Sequence, residues 1–316
     1  DARDEGKRTA DDLMASTDSS LLARIFSPGP TRDNHPASGA TGKAGRNLPQ
    51  AITTAVVLIV AVAVPLFTSL SAFVGVIGFV CLVGIWELAG AFARMGITLT
   101  VTPLYVGAIG MITCAWWLGS EGTLFALYIT VFVCAAWRLL DRRQESRMSD
   151  VVSSTFTAVY VPFLASFVVL MLAAWRDPWV FVVFELMVIA NDTGGWAAGV
   201  LFGKHPMAPA LSPKKSWEGF AGSAATAVGV GCVGLWLLGA AWWWGIVAGV
   251  SIAFVGTMGD LTESLIKRES GLKDMSHILP GHGGVLDRVD ALLMSAPVAY
   301  FIFAWALPGI SWESSH

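Results

Sequence analysis

The stretch SLIKRESGLKDMSHILPGHGGVLDRVD, residues 264–290, lies between two apolar runs and gathers acids, bases, two histidines and a glycine cluster. In the whole chain only 14% of the 316 residues are charged and 55% are hydrophobic. Charge is therefore collected in a few places instead of being spread over a surface, and apolar runs of roughly twenty residues, the length of a membrane-crossing helix, recur between them. The expected fold is all-α, a polytopic integral membrane protein of about nine transmembrane helices.

Working outward from this stretch, the candidate spans are 50–66, 69–94, 101–118, 122–140, 152–174, 177–202, 217–239, 241–262 and 286–307. Residues 1–48 are polar and rich in Gly, Pro, Ser and Asp; they cannot bury a core and read as a disordered cytosolic tail. No cleaved signal peptide is expected, because no short apolar segment with a cleavage site precedes that tail. Its GATGKAG is no phosphate loop, since Ala37 and Ala44 stand where a glycine and a hydroxyl residue are needed. The remainder divides into N-terminal transmembrane helices (49–150) and a C-terminal transmembrane catalytic region (151–316). Cys81, Cys114, Cys134 and Cys232 are scattered through apolar runs without a CxxC pair and read as buried thiols.

Basic residues orient the bundle. With the N-terminus inside, every Lys and Arg except Arg176 falls on the cytoplasmic side, as the enrichment of cytoplasmic loops in these residues requires. The N-terminus is thus placed in the cytosol, the C-terminal WESSH outside, and the 264–290 loop toward the cytoplasm. The net charge of -3 does not itself point to a partner, and no nucleic-acid partner is expected.

Ionisable groups within spans are costly and call for a function. Asp260, Glu263, Ser264 and Lys267 stand at i, i+3, i+4 and i+7, on one helical face at the end of the eighth span. Asp287 and Asp290 open the ninth, where a helix dipole favours carboxylates and their ligands. Between them, Gly281, Gly283 and Gly284 would let backbone N–H groups converge on phosphate, with Lys267, Arg268, Lys273 and Arg288 supplying positive charge. Hard Mg2+ would take the carboxylate oxygens and bridge to phosphate. Any one of these residues alone reads as a snorkelling base or a salt bridge; all of them within 260–290 read as phosphoryl or nucleotidyl transfer.

The run S-x-x-K-R-x4-K-D-x5-P-G-H-G-G-x-x-D-R-x-D, carried by Ser264, Lys267, Arg268, Lys273, Asp274, Pro280, Gly281, His282, Gly283, Gly284, Asp287, Arg288 and Asp290, resembles the signature of the phosphatidate cytidylyltransferase (CDP-diacylglycerol synthase) family. The likeness extends upstream through GDLTESLIKR (259–268), LSPKKSWEG (211–219) and ANDTGGWAAGVLFGK (190–204). It implies an integral membrane enzyme that joins CTP to phosphatidic acid, giving CDP-diacylglycerol and pyrophosphate. It also implies a divalent ion, usually Mg2+, beside a monovalent cation such as K+, with Asp260 and Asp287 as metal ligands, and a homodimer. The reaction would be attack of the phosphatidate phosphate on the α-phosphorus of CTP, which depends on positioning and electrostatics more than on a side-chain nucleophile. Asp260, Lys267, Arg268, Asp287 and Arg288 are then the expected catalytic residues.

Substrate contacts are expected from Glu263, Ser264, Lys273, Asp274, Gly281, His282, Gly283, Gly284 and Asp290. Further contacts are expected from a cytosolic anion site at Ser212, Lys214, Lys215 and Ser216, and from Asn191 and Asp192 in a polar cavity. Gly195, Gly199 and Gly203 read as helix-packing positions. His205 and His277 lack partners at zinc spacing and read as structural or phosphate-adjacent. Trp242, Trp243 and Trp244 read as an interfacial aromatic belt, and Arg138, Arg142, Arg143 and Arg147 as topology signals able to attract anionic lipid. Glu87 and Glu185, also within spans, receive no assignment. The expected location is the cell membrane, with the active site facing the cytoplasm and membrane lipid as a partner. A transporter of an anionic solute is the alternative, but paired interrupted segments in two related halves are not seen. The spaced aspartates of CDP-alcohol phosphotransferases are not seen either.

Overall fold

The computed structural model describes residues 48–141, 148–209, 211–279 and 283–308. Among them are nine helices: α1 (Leu48–Thr68), α2 (Leu70–Arg94), α3 (Val101–Trp117), α4 (Gly119–Leu140), α5 (Met148–Trp175), α6 (Pro178–Phe202), α7 (Trp217–Leu237), α8 (Trp244–Ser270) and α9 (Leu286–Ala306). Seven of these are long and apolar enough to cross a bilayer; α3 and the apolar part of α1 (Ile52–Thr68) are shorter. The protein is a polytopic helical membrane protein, as its hydropathy predicts. The expected tail, Arg142, Arg143, Arg147, Gly281, His282 and the C-terminal WESSH lie outside the described residues.

Two helices and one connection depart from the hydropathy reading. Helix α8 runs to Ser270, well past the end of its apolar span at 262, because Glu263–Ser270 keep good helix formers and a consistent buried face. It stops at Gly271, whose positive φ of 69° lets its own N–H and that of Leu272 close on the carbonyls of Arg268 and Lys267. Helix α5 passes through a π-turn at Val159–Phe163, where Pro162 supplies no N–H to the helical ladder. Between α6 and α7 the chain forms an antiparallel hairpin of β1 (Pro206–Ala208) and β2 (Ser212–Ser216), a small addition to the all-α expectation.

Four connections meet at one end of the bundle. Arg94 Nε, ending α2, donates to Ser270 O, ending α8, at 3.0 Å, and Arg268 Nε donates to Leu211 O of the hairpin at 3.4 Å. Asp150, opening α5, accepts from Thr98 N at 2.9 Å and from Arg138 Nη2 of α4. Arg138 and Asp150 are buried together, so Arg138 is committed to an ion pair and does not stand free for lipid. At the opposite end the Arg176 guanidinium sits 4.1 Å from the Trp116 ring centre, a cation–π contact. The structure thus separates Arg176 from the basic loops, as the charge pattern predicts for an odd-numbered loop.

The site is framed by close packing of α6 on α7. A Cβ added at Gly195 would come within 2.3 Å of Ser223 Oγ, and one at Gly222 within 2.3 Å of Ala198 Cβ and 2.7 Å of Gly194 O. Gly199 also faces Gly219, whereas Gly203 caps the end of α6 instead of joining the helix seam. Association in lipid relies on such backbone approach. Gly222→Ala is expected to destabilise the protein by about 1–3 kcal/mol, read as a lower thermal midpoint in detergent; an unchanged midpoint would contradict the packing described.

Candidate active site

Ser216 caps α7, its hydroxyl accepting from Gly219 N at 3.1 Å, and so directs the first turn of α7 toward the end of α8. The last turns of α8 and the first turn of α9 complete the walls of a polar cleft of about 410 Å³, with the Asn191–Trp196 turn of α6 opposite. Glu218, one position after the start of α7, holds the hairpin in place. It accepts from Lys204 N and His205 N, both at 3.2 Å, and lies 2.6 Å from His205 Nδ1. His205 is therefore a partner of the hairpin brace, and neither His205 nor His277 lines the cleft.

Five carboxylates line this space, those of Asp192, Asp260, Glu263, Asp287 and Asp290, against two ammonium groups. Lys215 Nζ, reaching over from β2, donates to Asp260 Oδ2. Lys267 Nζ donates to Glu263 Oε2 at 2.5 Å and to Asp287 Oδ1 at 2.9 Å, which draws the two acids of α8 and α9 together. Asp287 Oδ2 accepts from Gly284 N at 2.7 Å and Met275 N at 2.9 Å. Two buried oxygens on the cleft residues, Glu263 Oε1 and Asn191 Oδ1, have no hydrogen-bond partner. Acid exceeds base in a confined space, and hard oxygen donors remain open there.

Asn191, Asp192, Lys215, Ser216, Asp260, Glu263, Ser264, Lys267, Asp287 and Asp290 are thus brought together. Arg268, Lys273 and Arg288 are exposed and outside the lining, the half-buried Ser212 and Asp274 are outside it too, and the side chain of Lys214 is not described. The glycine cluster differs from expectation. Gly283, at φ 84°, exchanges both backbone hydrogen bonds with Leu279, and Gly284 N is taken by Asp287. The N–H groups of Gly283 and Gly284 are thus taken by the protein's own acceptors, while Gly281 and His282 lie outside the described residues.

Sequence reasoning noted Glu87 within a span and gave it no assignment. Fully buried on α2, it accepts from Ser276 Oγ at 2.5 Å and Val285 N at 2.8 Å through Oε1, and from Leu286 N at 2.8 Å through Oε2. The available signal was an acid in the middle of an apolar run. Glu185, two turns before Asp192 on α6, stays outside the cleft, with a buried and unpartnered Oε2.

A helical membrane bundle enclosing acids, lysines and open oxygen donors at its basic end is the framework of a membrane enzyme acting on charged groups. Residues 49–306 match the model of the Cytidylyltransferase family, and the chain belongs to that family. It is 37% identical over 289 residues to the phosphatidate cytidylyltransferase of Mycobacterium bovis, covering 84% of this chain and 94% of that one. It is 33% identical over 305 residues to the same enzyme of Mycobacterium leprae, covering 91% and 98%. To that of Pseudomonas aeruginosa it is 33% identical over 287 residues, covering 82% and 97%.

Proposed function

We propose that this cleft transfers the cytidylyl group of CTP to phosphatidic acid, yielding CDP-diacylglycerol and pyrophosphate. The observation that carries the reading is the pairing, in one cleft at a helix-bundle end, of Asp260 and Asp287 with Lys215 and Lys267. A nonbridging oxygen of the phosphatidate phosphate attacks the α-phosphorus of CTP; that P–O bond forms as the α–β anhydride bond breaks, and pyrophosphate leaves. Phosphatidate is already anionic near neutral pH, so no general base is required.

The donor set fits a hard divalent ion. Carboxylates outnumber ammonium groups, and Glu263 Oε1 and Asn191 Oδ1 are open. Among the described residues no three acids or histidines form a ready metal cage, so the fit rests on these oxygens, and Mg2+ would take one or two carboxylates together with substrate phosphates. Asp260 and Asp287 would hold Mg2+, with a monovalent cation such as K+ beside it, and the ion would supply charge neutralisation on the triphosphate. Lys215 and Lys267 lie against these same carboxylates, so phosphate oxygens bound there meet two ammonium groups that strengthen as the leaving charge develops. The first turns of α7 and α9 add the positive ends of two helices.

The basic end of the bundle is placed in the cytoplasm, within the cell membrane, so that soluble nucleotide reaches the cleft while the acyl chains stay in the bilayer; the homodimer expected from the family belongs to the same reading. Purified protein in detergent micelles, where no compartment exists, is expected to form a liponucleotide from CTP, phosphatidic acid and Mg2+. Absence of product across a range of phosphatidates and divalent ions would overturn the assignment and favour a transporter.

A further inference from the structure

The transfer chemistry above rests on α6–α9, yet the best-satisfied buried acid beside it comes from α2. Glu87 is separated from its partners by 189 to 199 positions in the chain, so its contacts are a product of the tertiary fold alone. Burial of a carboxylate is costly unless donors surround it, and three donors do so here, two of them backbone N–H groups at the start of α9. Those two belong to Val285 and Leu286, immediately before Asp287. Gly284 lies between the two acids. A Cβ there would come within 2.7 Å of Glu87 Oε1 and 3.0 Å of Asp287 Oδ2, so only glycine lets both carboxylates close on the same stretch of backbone.

Taking the cleft as the cytidylyl-transfer site, we propose that Glu87 is a positioning residue for that reaction, fixing the 284–286 junction from α2 so that Asp287 is presented to Lys267 and to the substrate phosphates. Its carboxylate grips one side of the junction and Asp287 the other. Freedom at 284–286 would pass directly to the Asp287 side chain, which hangs from the next residue and takes one of its own hydrogen bonds from Gly284 N.

The test compares the parent, Glu87→Gln and Ser276→Ala in detergent, by amide hydrogen exchange at 284–286 without substrate and by kcat and KM for CTP. A glutamine turns one acceptor into an NH2 group, which must face one of the three donors. Exchange at Val285 or Leu286 is expected to rise, and kcat to fall about 10–100-fold, with KM for CTP little changed. Ser276→Ala, which removes only the hydroxyl, is expected to shift both readouts in the same direction by less. An unchanged kcat per folded molecule in Glu87→Gln, with or without faster exchange, would reduce Glu87 to a structural residue and overturn the inference. If Glu87→Gln does not fold, Glu87→Asp and Ser276→Ala decide by the same criteria. A parent without cytidylyl transfer would instead sink the reading of the cleft, and the positioning role with it; an active parent with an indifferent Glu87→Gln sinks this inference alone.

Discussion

Asp287→Asn is expected to lower liponucleotide formation by about a thousandfold, the equivalent of several kcal/mol of lost charge stabilisation in the transition state. The geometry explains why so small a change has so large an effect. Asp287 Oδ2 accepts from Gly284 N and Met275 N, so an asparagine must turn its carbonyl oxygen to that side to keep both bonds. Its NH2 group then faces the Lys267 ammonium, donor against donor, where Oδ1 had accepted at 2.9 Å. The junction before α9 keeps its hydrogen bonds while the cleft loses both a negative charge and a potential ion ligand. Turnover in micelles, set beside a thermal melt, separates the two effects. Parent-like turnover would remove Asp287 from the chemistry.

The second large effect is on stability as well as rate. Lys267 Nζ joins Glu263 and Asp287, whose side chains are 3% and 4% exposed. Lys267→Met keeps the length of the side chain and removes the charge, leaving two buried carboxylates with no shared cation. The expected cost is about 3–5 kcal/mol, seen as a marked drop in the denaturation midpoint, with transfer activity lost. Adding Glu263→Gln to Lys267→Met should restore much of the stability and none of the activity, because it relieves acid–acid repulsion without returning an ammonium group to the phosphates. Full recovery of activity in the double variant would show that Lys267 serves the fold alone.

Much of this was legible along the chain because the controlling patterns are local. Continuous apolar runs mark the helices, and the i, i+3, i+4, i+7 spacing of Asp260, Glu263, Ser264 and Lys267 marks a polar face that the structure turns toward the cleft. The limits of local reading are equally physical. Hydropathy stops α8 at 262 because it registers the edge of the hydrocarbon, whereas backbone hydrogen bonding continues to the glycine cap at 271. A glycine cluster shows that N–H groups can converge but not what they converge on. Here Asp287 takes the N–H of Gly284 from nearby in the chain, and Glu87, on a distant helix, takes those of Val285 and Leu286 just after the cluster. Arg138 looked like one positive charge among several at a membrane surface; its pairing with Asp150 depends on how the ends of α4 and α5 meet. Most of the residues that line the cleft could be read from the sequence, and the contacts among them required the fold.

The most direct measurement follows the label of CTP. With CTP carrying radioactive phosphorus in the α position, incubation with phosphatidic acid and Mg2+ is expected to move the label into the lipid fraction. With the label in the γ position it should appear entirely in water-soluble pyrophosphate. Label entering lipid from the γ position, or from neither, would contradict attack at the α-phosphorus and the account built on it.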